Sequence, residues 1–299
     1  MTGFIEEHRG RFGVEPICRV MTSNPSTYWA ARNRPPSNRS VNDGRLKPEV
    51  KRVHKENYGV YGAHKVWRQM NREGLPVARC TVARLMRELG IRGVRRGRKC
   101  RTTVPDDAAV RPADLVCRRF EAASPDELWI ADFTFVRTWA GFCYAAFVID
   151  VFSRMIVGWS LSTSLKTDMP LEALEMAIWR RGRPLPELVH HSDRGCQYTS
   201  IRYTERLAEA GIAPSVGSAG DAYDNAMAES TIGLYKTELI YRQGPWRTPE
   251  QAEIATLEYI DWWNNRRLHT EIGDIPPAEK EAMYYAERAQ SEKEMSVSS

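Results

Sequence analysis

Residues 128–162 read LWIADFTFVRTWAGFCYAAFVIDVFSRMIVGWSLS, and the parsing of this run decides the fold. LWIADFTFVRT (128–138) is rich in β-branched and aromatic residues and stops at the turn WAG. FCYAAFVIDV (142–151) is almost wholly apolar, FSR is a second turn, and MIVGWSLS (155–162) is a third β run. Three such runs joined by short turns predict an antiparallel meander. Beyond it the type of segment alternates. LKTDMPLEALEMAIWRRG (165–182) reads as a helix, ELVHHS (187–192) as a short buried strand and SIRYTERLAEAG (200–211) as a helix stopped at Gly211. IAPSVG (212–217) is another short strand, followed by two long helical stretches, 221–242 and 248–267. The order β-β-β-α-β-α-β-α-α predicts an α/β domain: a mixed five-stranded sheet with helices on both faces.

Working outward, the N-terminal third differs in charge. Residues 45–101 hold 17 Lys/Arg and 4 Asp/Glu, a local +13 in a chain of net charge +5. A basic module beside an acidic body suits a polyanion partner, although a solvated basic helix surface has the same composition. Within it, Pro48 opens an expected helix, AHKVWRQMNREG (63–74) gives a second and TVARLMRELG (81–90) a third, with Val82, Leu85, Met86 and Leu89 on one face. Helices around a tight turn, with Arg79, Arg84 and Arg87 on the last, form a small all-α helix-turn-helix candidate at 45–105. The run after it, including Arg95 and Arg96, would contact phosphates. Residues 1–44 read as irregular, 106–125 as a linker, 126–285 as the main domain and 286–299 as a disordered tail.

Several classes are excluded. No apolar run reaches the roughly 18 residues that span a bilayer, and the N-terminus has no signal-peptide pattern, so a cytoplasmic location is expected. The six cysteines are scattered without a CxxC, and His54, His64, Cys80 and Cys100 are spaced too irregularly for structural zinc. There is no GxxxxGK[ST] phosphate loop.

Three carboxylates stand out. Asp132 sits inside a predicted strand, where alternation places Leu128, Ile130, Thr134 and Val136 on its side and Trp129, Ala131, Phe133 and Phe135 on the other. A carboxylate among such neighbours needs a metal ion or a buried cation. Asp150 is a weaker rival, because it precedes a VFSR turn where Asp is commonplace. Asp193, in HSDRG, follows a short strand at its carboxyl end, the usual place for sites in open α/β sheets. Glu229 shares a helix face with Asn225, Ile232 and Lys236, and the small residues Ala226, Ser230 and Gly233 would let that helix approach the sheet. Three converging carboxylates can hold two divalent cations, and hard oxygen donors suit Mg²⁺ or Mn²⁺. On spacing alone, Asp193 as a plain turn residue and Glu229 as a solvated one stand equal with that reading.

LWIADFTFVRT, VIDVFSRMIVGW, LVHHSDRGCQYTS, SVGSAGDAYDNAMAESTIGLYKTEL and YIDWWNNRRLH, in that order, closely resemble bacterial insertion-sequence transposases. They are most similar to the second-reading-frame product of the insertion-sequence-three family, with its retroviral-integrase type of catalytic core. The resemblance covers about residues 45–285 and implies a ribonuclease-H-like core with Asp132, Asp193 and Glu229 as a catalytic, metal-binding Asp-Asp-Glu triad. It implies two Mg²⁺ (or Mn²⁺) ions, Asp132 bridging both, Asp193 holding one and Glu229 the other. Lys236 would contact the element's DNA end and Asn225 would line the site, while Asn264, Arg267 and His269 match a late Asn-x-x-Arg-x-His pattern with either a packing or a phosphate-binding role. The implied activity is hydrolysis that exposes a 3′-hydroxyl at the element's end, followed by transfer of that strand into target DNA in the bacterial nucleoid. Implied partners are terminal inverted repeats, target DNA and further copies of the chain. The upstream reading-frame product is another, since the family's active form often arises by frameshift fusion and this chain shows no heptad run. A nuclease without strand transfer, and a DNA-binding regulator with an unused catalytic domain, are the competing readings.

Overall fold

A computed structural model of the chain describes residues 1–95, 121–165, 168–193, 197–216 and 226–297. Arg96, Asn225 and most of the expected 106–125 linker lie outside the described residues. Two compact units result, Met1–Arg52 and Val53–Ser299.

The first unit corrects the irregular reading of residues 1–44. It holds α1 (Thr2–Phe12), α2 (Val14–Val20), α3 (Pro25–Asn33) and the start of α4 (Asn38–Glu56). Ile5, Ile17, Cys18 and Tyr28 form its small core. The missed helix starts have clear chemistry. Asn24 caps α3 by accepting from the Ser26 N–H at 3.2 Å, with Pro25 in the first turn. Ser37 accepts from the Ser40 N–H at 3.2 Å ahead of α4. That helix therefore begins before Pro48, which lies inside it and forfeits a single backbone bond.

The second unit contains α5 (Ala63–Arg72) and α6 (Arg79–Glu88), which pack together through a strongly amphipathic face. Val66 and Met70 of α5 and Val82, Leu85 and Met86 of α6 are buried. After α6 the chain returns, the Val94 N–H donating to the Val60 carbonyl at 3.0 Å.

The expected five-stranded sheet follows, in the order β3-β2-β1-β4-β5. Strands β1 (Leu128–Thr138), β2 (Gly141–Asp150) and β3 (Ile156–Ser162) are antiparallel neighbours. β4 (Val189–Ser192) and β5 (Ala213–Val216) are parallel to β1. Helix α7 (Asp168–Arg181) lies on β2 and β3, and α8 (Ile201–Glu209) precedes β5. On the α7 face Trp129, Ala131, Ala146, Val148 and Val157 join Ala173, Leu174 and Ala177 in the main core. The opposite face of β1 meets α9 (Ala226–Tyr235) and α11 (Pro249–Asn265).

Two further readings are revised. The stretch expected as one long helix over 221–242 passes from α9 into a π turn at Lys236–Ile240 and a last helical turn, α10 (Tyr241–Gln243). The Thr237 hydroxyl donates to the Gly233 carbonyl at 2.6 Å, a local competitor of the regular ladder. The tail expected to be disordered belongs to α12 (Pro277–Val297), an exposed helix of strong helix formers, supported by Arg288–Glu292 at 3.0 Å and Gln290–Glu294 at 3.1 Å. No helix of the described residues is long and apolar enough to cross a membrane.

Gly158 shows how closely α7 sits on β3. A Cβ there would stand 2.0 Å from the Ala173 carbonyl oxygen and 2.8 Å from the Ala177 nitrogen. Backbone cannot yield as a side chain can, so Gly158→Ala is expected to cost roughly 3 kcal/mol, the upper end for overpacking. Urea unfolding checks this, and an unchanged midpoint would show that the helix is free to lift.

Candidate active site

The site starts from the pairing of the central strands. Asp132 faces Phe147 across the β1–β2 ladder, and the Phe147 ring meets Tyr235 of α9 at 5.0 Å. Asp132 is thereby on the α9 side of the sheet, as alternation predicts. In the parallel β1–β4 pairing Ala131 lies opposite Ser192, and one residue further along brings Asp193 level with Asp132. Glu229 lies in the first turn of α9.

The electrostatics of Asp132 report this proximity. The residue keeps some solvent exposure, but its carboxyl group is surrounded by protein. Burial first, then the charges of Asp193 and Glu229, push its pKa up to about 8. The Phe133 N–H, donating to Oδ1 at 2.8 Å, and the Lys236 ammonium oppose the rise. Lys236, half-buried in the π turn, is lowered chiefly by burial, with Asp132 acting the other way. Three acidic groups and one lysine thus lie within electrostatic reach of one another. Among the described residues, no three His, Cys, Asp or Glu side chains are gathered closely enough to hold a metal ion as they stand. As a donor set the carboxylates nevertheless fit one. They offer hard oxygens, and the residue at their centre carries a charge that its surroundings penalise.

Neighbouring polar groups divide into structural and unassigned. The neutral His190 ring, its pKa lowered to about 4 by burial, bonds the Tyr203 hydroxyl at 3.0 Å, and His191 meets the Ser215 hydroxyl at 3.0 Å. Asp150 behaves as the turn residue expected, accepting from the Ser153 N–H at 2.8 Å and the Asp126 N–H at 2.9 Å. Tyr198 belongs to the main core, its ring against those of Phe133 and Tyr203. Its buried hydroxyl has no hydrogen-bond partner among the described residues, and its pKa is raised well above normal by burial, with the fields of Asp132 and Asp193 adding to it.

Of the residues expected to contact DNA, Arg79, Arg87 and Arg95 are exposed and Arg84 pairs with Glu88 at 2.7 Å. The late Asn, Arg and His are all buried. Asn264 clamps the edge of β3, its Oδ1 accepting from the Ile156 N–H and its Nδ2 donating to the Ile156 carbonyl, both at 2.9 Å. Arg267 is ion-paired with Glu238 at 2.6 Å. His269 accepts from Arg267 at Nδ1 and donates from Nε2 to the Trp263 carbonyl, each at 3.3 Å, as a neutral ring. Packing, rather than phosphate binding, is where these three stand.

The sheet with its acidic pocket, beside a basic helical pair, has the character of an enzyme that works on nucleic acid. Residues 122–222 and 210–277 match Integrase core domain families, and residues 42–99 match an HTH-like domain. A putative transposase for insertion sequence element IS986/IS6110 from Mycobacterium tuberculosis is 56% identical, over 88% of this chain and 96% of its own. The transposase for insertion sequence element IS629 of Shigella sonnei is 52% identical over 96% and 97%. Transposase InsF for insertion sequence IS3A of Escherichia coli is 31% identical over 93% and 97%. Among solved structures, the HTLV-2 integrase catalytic core domain in complex with magnesium covers 54% of this chain and 99% of its own, at 17% identity and a TM-score of 0.44. The chain belongs to the insertion-sequence-three family of transposases, built on an integrase core of ribonuclease-H-like fold. The integrase core family works with divalent metal ions.

Asp132 generates a pH prediction. Folded, it keeps its proton up to about pH 8; unfolded, it ionises near about pH 4. Between those values the folded chain holds a proton that the unfolded chain has lost, so this group's contribution to stability falls as pH rises through the window. Asp132→Asn removes the dependence. With a chelator present, thermal unfolding of the variant should exceed that of the parent at about pH 7.5 and converge with it near about pH 4.5. Equal melting temperatures at both values would refute the buried-carboxylate account.

Proposed function

We propose that the chain cuts the ends of an insertion sequence and joins the exposed 3′-hydroxyls to target DNA, with Asp132, Asp193 and Glu229 as its catalytic carboxylates. As a member of its family the protein is a DNA transposase, a polynucleotidyl transferase. The residue assignment rests on one observation above others: a carboxylate in the centre of the sheet whose proton is held by burial first and then by the charges of two further carboxylates, one just past a strand end and one on a helix.

Two Mg²⁺ ions held by these three residues would stabilise the attacking and leaving oxygens of an in-line phosphodiester displacement. The protein's own part is placement. β1 carries Asp132, β4 ends one residue before Asp193, and α9 supplies Glu229 from the facing layer. Lys236 brings a point charge beside Asp132, suited to a terminal phosphate. Asn225, four residues before Glu229 in the sequence, would line the site as the family resemblance implies. Arg79, Arg84 and Arg87 on α6, with Arg95 and Arg96 after it, would hold the terminal repeat, α6 in the major groove. The helix-turn-helix segment, the 106–125 linker and the core from 126 would then be the working divisions of the chain. The partners are the terminal repeats, target DNA, further copies on the DNA and the upstream reading-frame product.

The test separates binding from chemistry. Asp193→Asn should abolish Mg²⁺-dependent nicking and joining of labelled terminal-repeat DNA while retaining its affinity in gel-shift titrations. Joining by the variant would sink the triad. A parent that nicks without ever joining would be a nuclease, and one that binds without nicking a regulator.

A further inference from the structure

Glu238 and Arg267 form a buried ion pair that the carboxylate chemistry does not call for. Their side chains are 8% and 4% exposed. Arg267 grips both oxygens, Nη2 donating to Oε1 at 2.6 Å and Nε to Oε2 at 2.9 Å, and the Tyr259 hydroxyl donates to Oε2 at 2.9 Å. The guanidinium is itself locked, 4.6 Å from the Trp263 ring centroid, with Nη1 donating to the Leu268 carbonyl at 3.4 Å.

Such a pair is a poor stability device. Removing two charges from water costs about what their attraction returns, and apolar replacements of similar volume are often no less stable. A bidentate fork does, however, fix position and angle. What it fixes here is the π turn, in which Glu238 comes two residues after Lys236. Two residues along a helix rotate the side chain by about 200°, so the two leave on opposite sides. Lys236 lies within the field of Asp132, while Glu238 reaches Tyr259 of α11 and Arg267 in the segment after it. One turn earlier the Tyr235 hydroxyl donates to Thr256 of α11 at 2.8 Å, a second anchor on the same side. A one-residue change of register in this turn would swing Lys236 away by roughly a quarter of a turn.

We infer that the Glu238–Arg267 pair is a positioning device, holding the register of the π turn so that Lys236 is presented beside Asp132 to the DNA end. Neither residue touches DNA; both act through Lys236. The inference rests on the proposed reading that Lys236 meets the terminal phosphate.

The experiment uses the full chain and labelled terminal-repeat DNA carrying a disulfide-tethered thiol at the terminal phosphate. In a Lys236→Cys background, cross-linking is compared between the native pair and Glu238→Met/Arg267→Met. Joining is compared with Lys236 intact. The double variant should melt close to the parent and bind DNA equally well. Cross-linking and joining should each fall by at least about tenfold, the joining loss appearing in kcat rather than KM. Parental yields of both would overturn the inference while leaving the Lys236 reading in place. Absence of cross-linking with the native pair, on DNA shown to be bound, would overturn both. Should the double variant fail to fold, Arg267→Lys keeps the charge and loses the fork. It should cross-link several-fold less at an unchanged melting temperature, and a parental yield from it would equally overturn the inference.

Discussion

The structure depends on tolerating a carboxylate at the centre of its sheet. Asp132 sits between Ala131 and Phe133 on the strand that pairs with both the antiparallel and the parallel half of the sheet. Almost any other residue there would be easier to bury. The surroundings compound the cost, because β4 ends so that Asp193 comes level with Asp132, and α9 adds Glu229. Lys236 is the cation the fold sets against them. A fold that gathers like charges where water is scarce destabilises itself in the absence of a cation. The family works with divalent metal ions, and carboxylate oxygens are the hard donors that suit such ions.

Rigidity in the facing layer comes from α11. It clamps β3 through Asn264, holds α9 through Thr256 and the π turn through Tyr259. It also seats the helical pair. The Trp262 indole donates to Asn57 at 3.0 Å, and the Tyr61 hydroxyl accepts from the Leu268 N–H at 2.7 Å. Further along, Asp274 accepts from Arg68 at 2.9 Å and pairs with His64 at 3.0 Å, while Arg72 pairs with Glu279. α11 and the segment that follows it therefore reference the strands, the helix carrying Glu229 and the base of the HTH-like segment to a common frame.

The sheet was legible because period-two alternation and short turns are local, and Asp132 was conspicuous because it breaks that alternation. Asp193 was not decidable locally. HSDRG is a turn by composition, and only the parallel register, in which residues 131 and 192 pair, turns the 61-residue separation of the two aspartates into proximity. The N-terminal helices were missed because α1 and α3 have little amphipathic pattern and their signals are single caps, Asn24 before Pro25 and Ser37 after two prolines. The π turn was hidden for a different reason. It reflects a side chain bonding back to Gly233 and a tertiary partner for Glu238, and neither leaves a periodic trace.

Arginine shows the limit of composition most clearly. Counted by charge, Arg267 and Arg181 look as fit for DNA as Arg79 and Arg87. Partners separate them. Arg181 is spent on Glu281 at 2.8 Å and Asp126 at 2.6 Å, and Arg267 on Glu238. Exposed Arg79, Arg87 and Arg95 remain on the segment that matches an HTH-like domain. Within α5 the division is by face: His64, Arg68 and Arg72 turn toward Asp274 and Glu279, while Arg79 and Arg87 of α6 stay at the surface. The carboxylates that neutralise α5 thus do more than hold it in place. They spend cations of one helix on seating, so the position of the acidic residues decides which helix keeps exposed arginines and a positive potential.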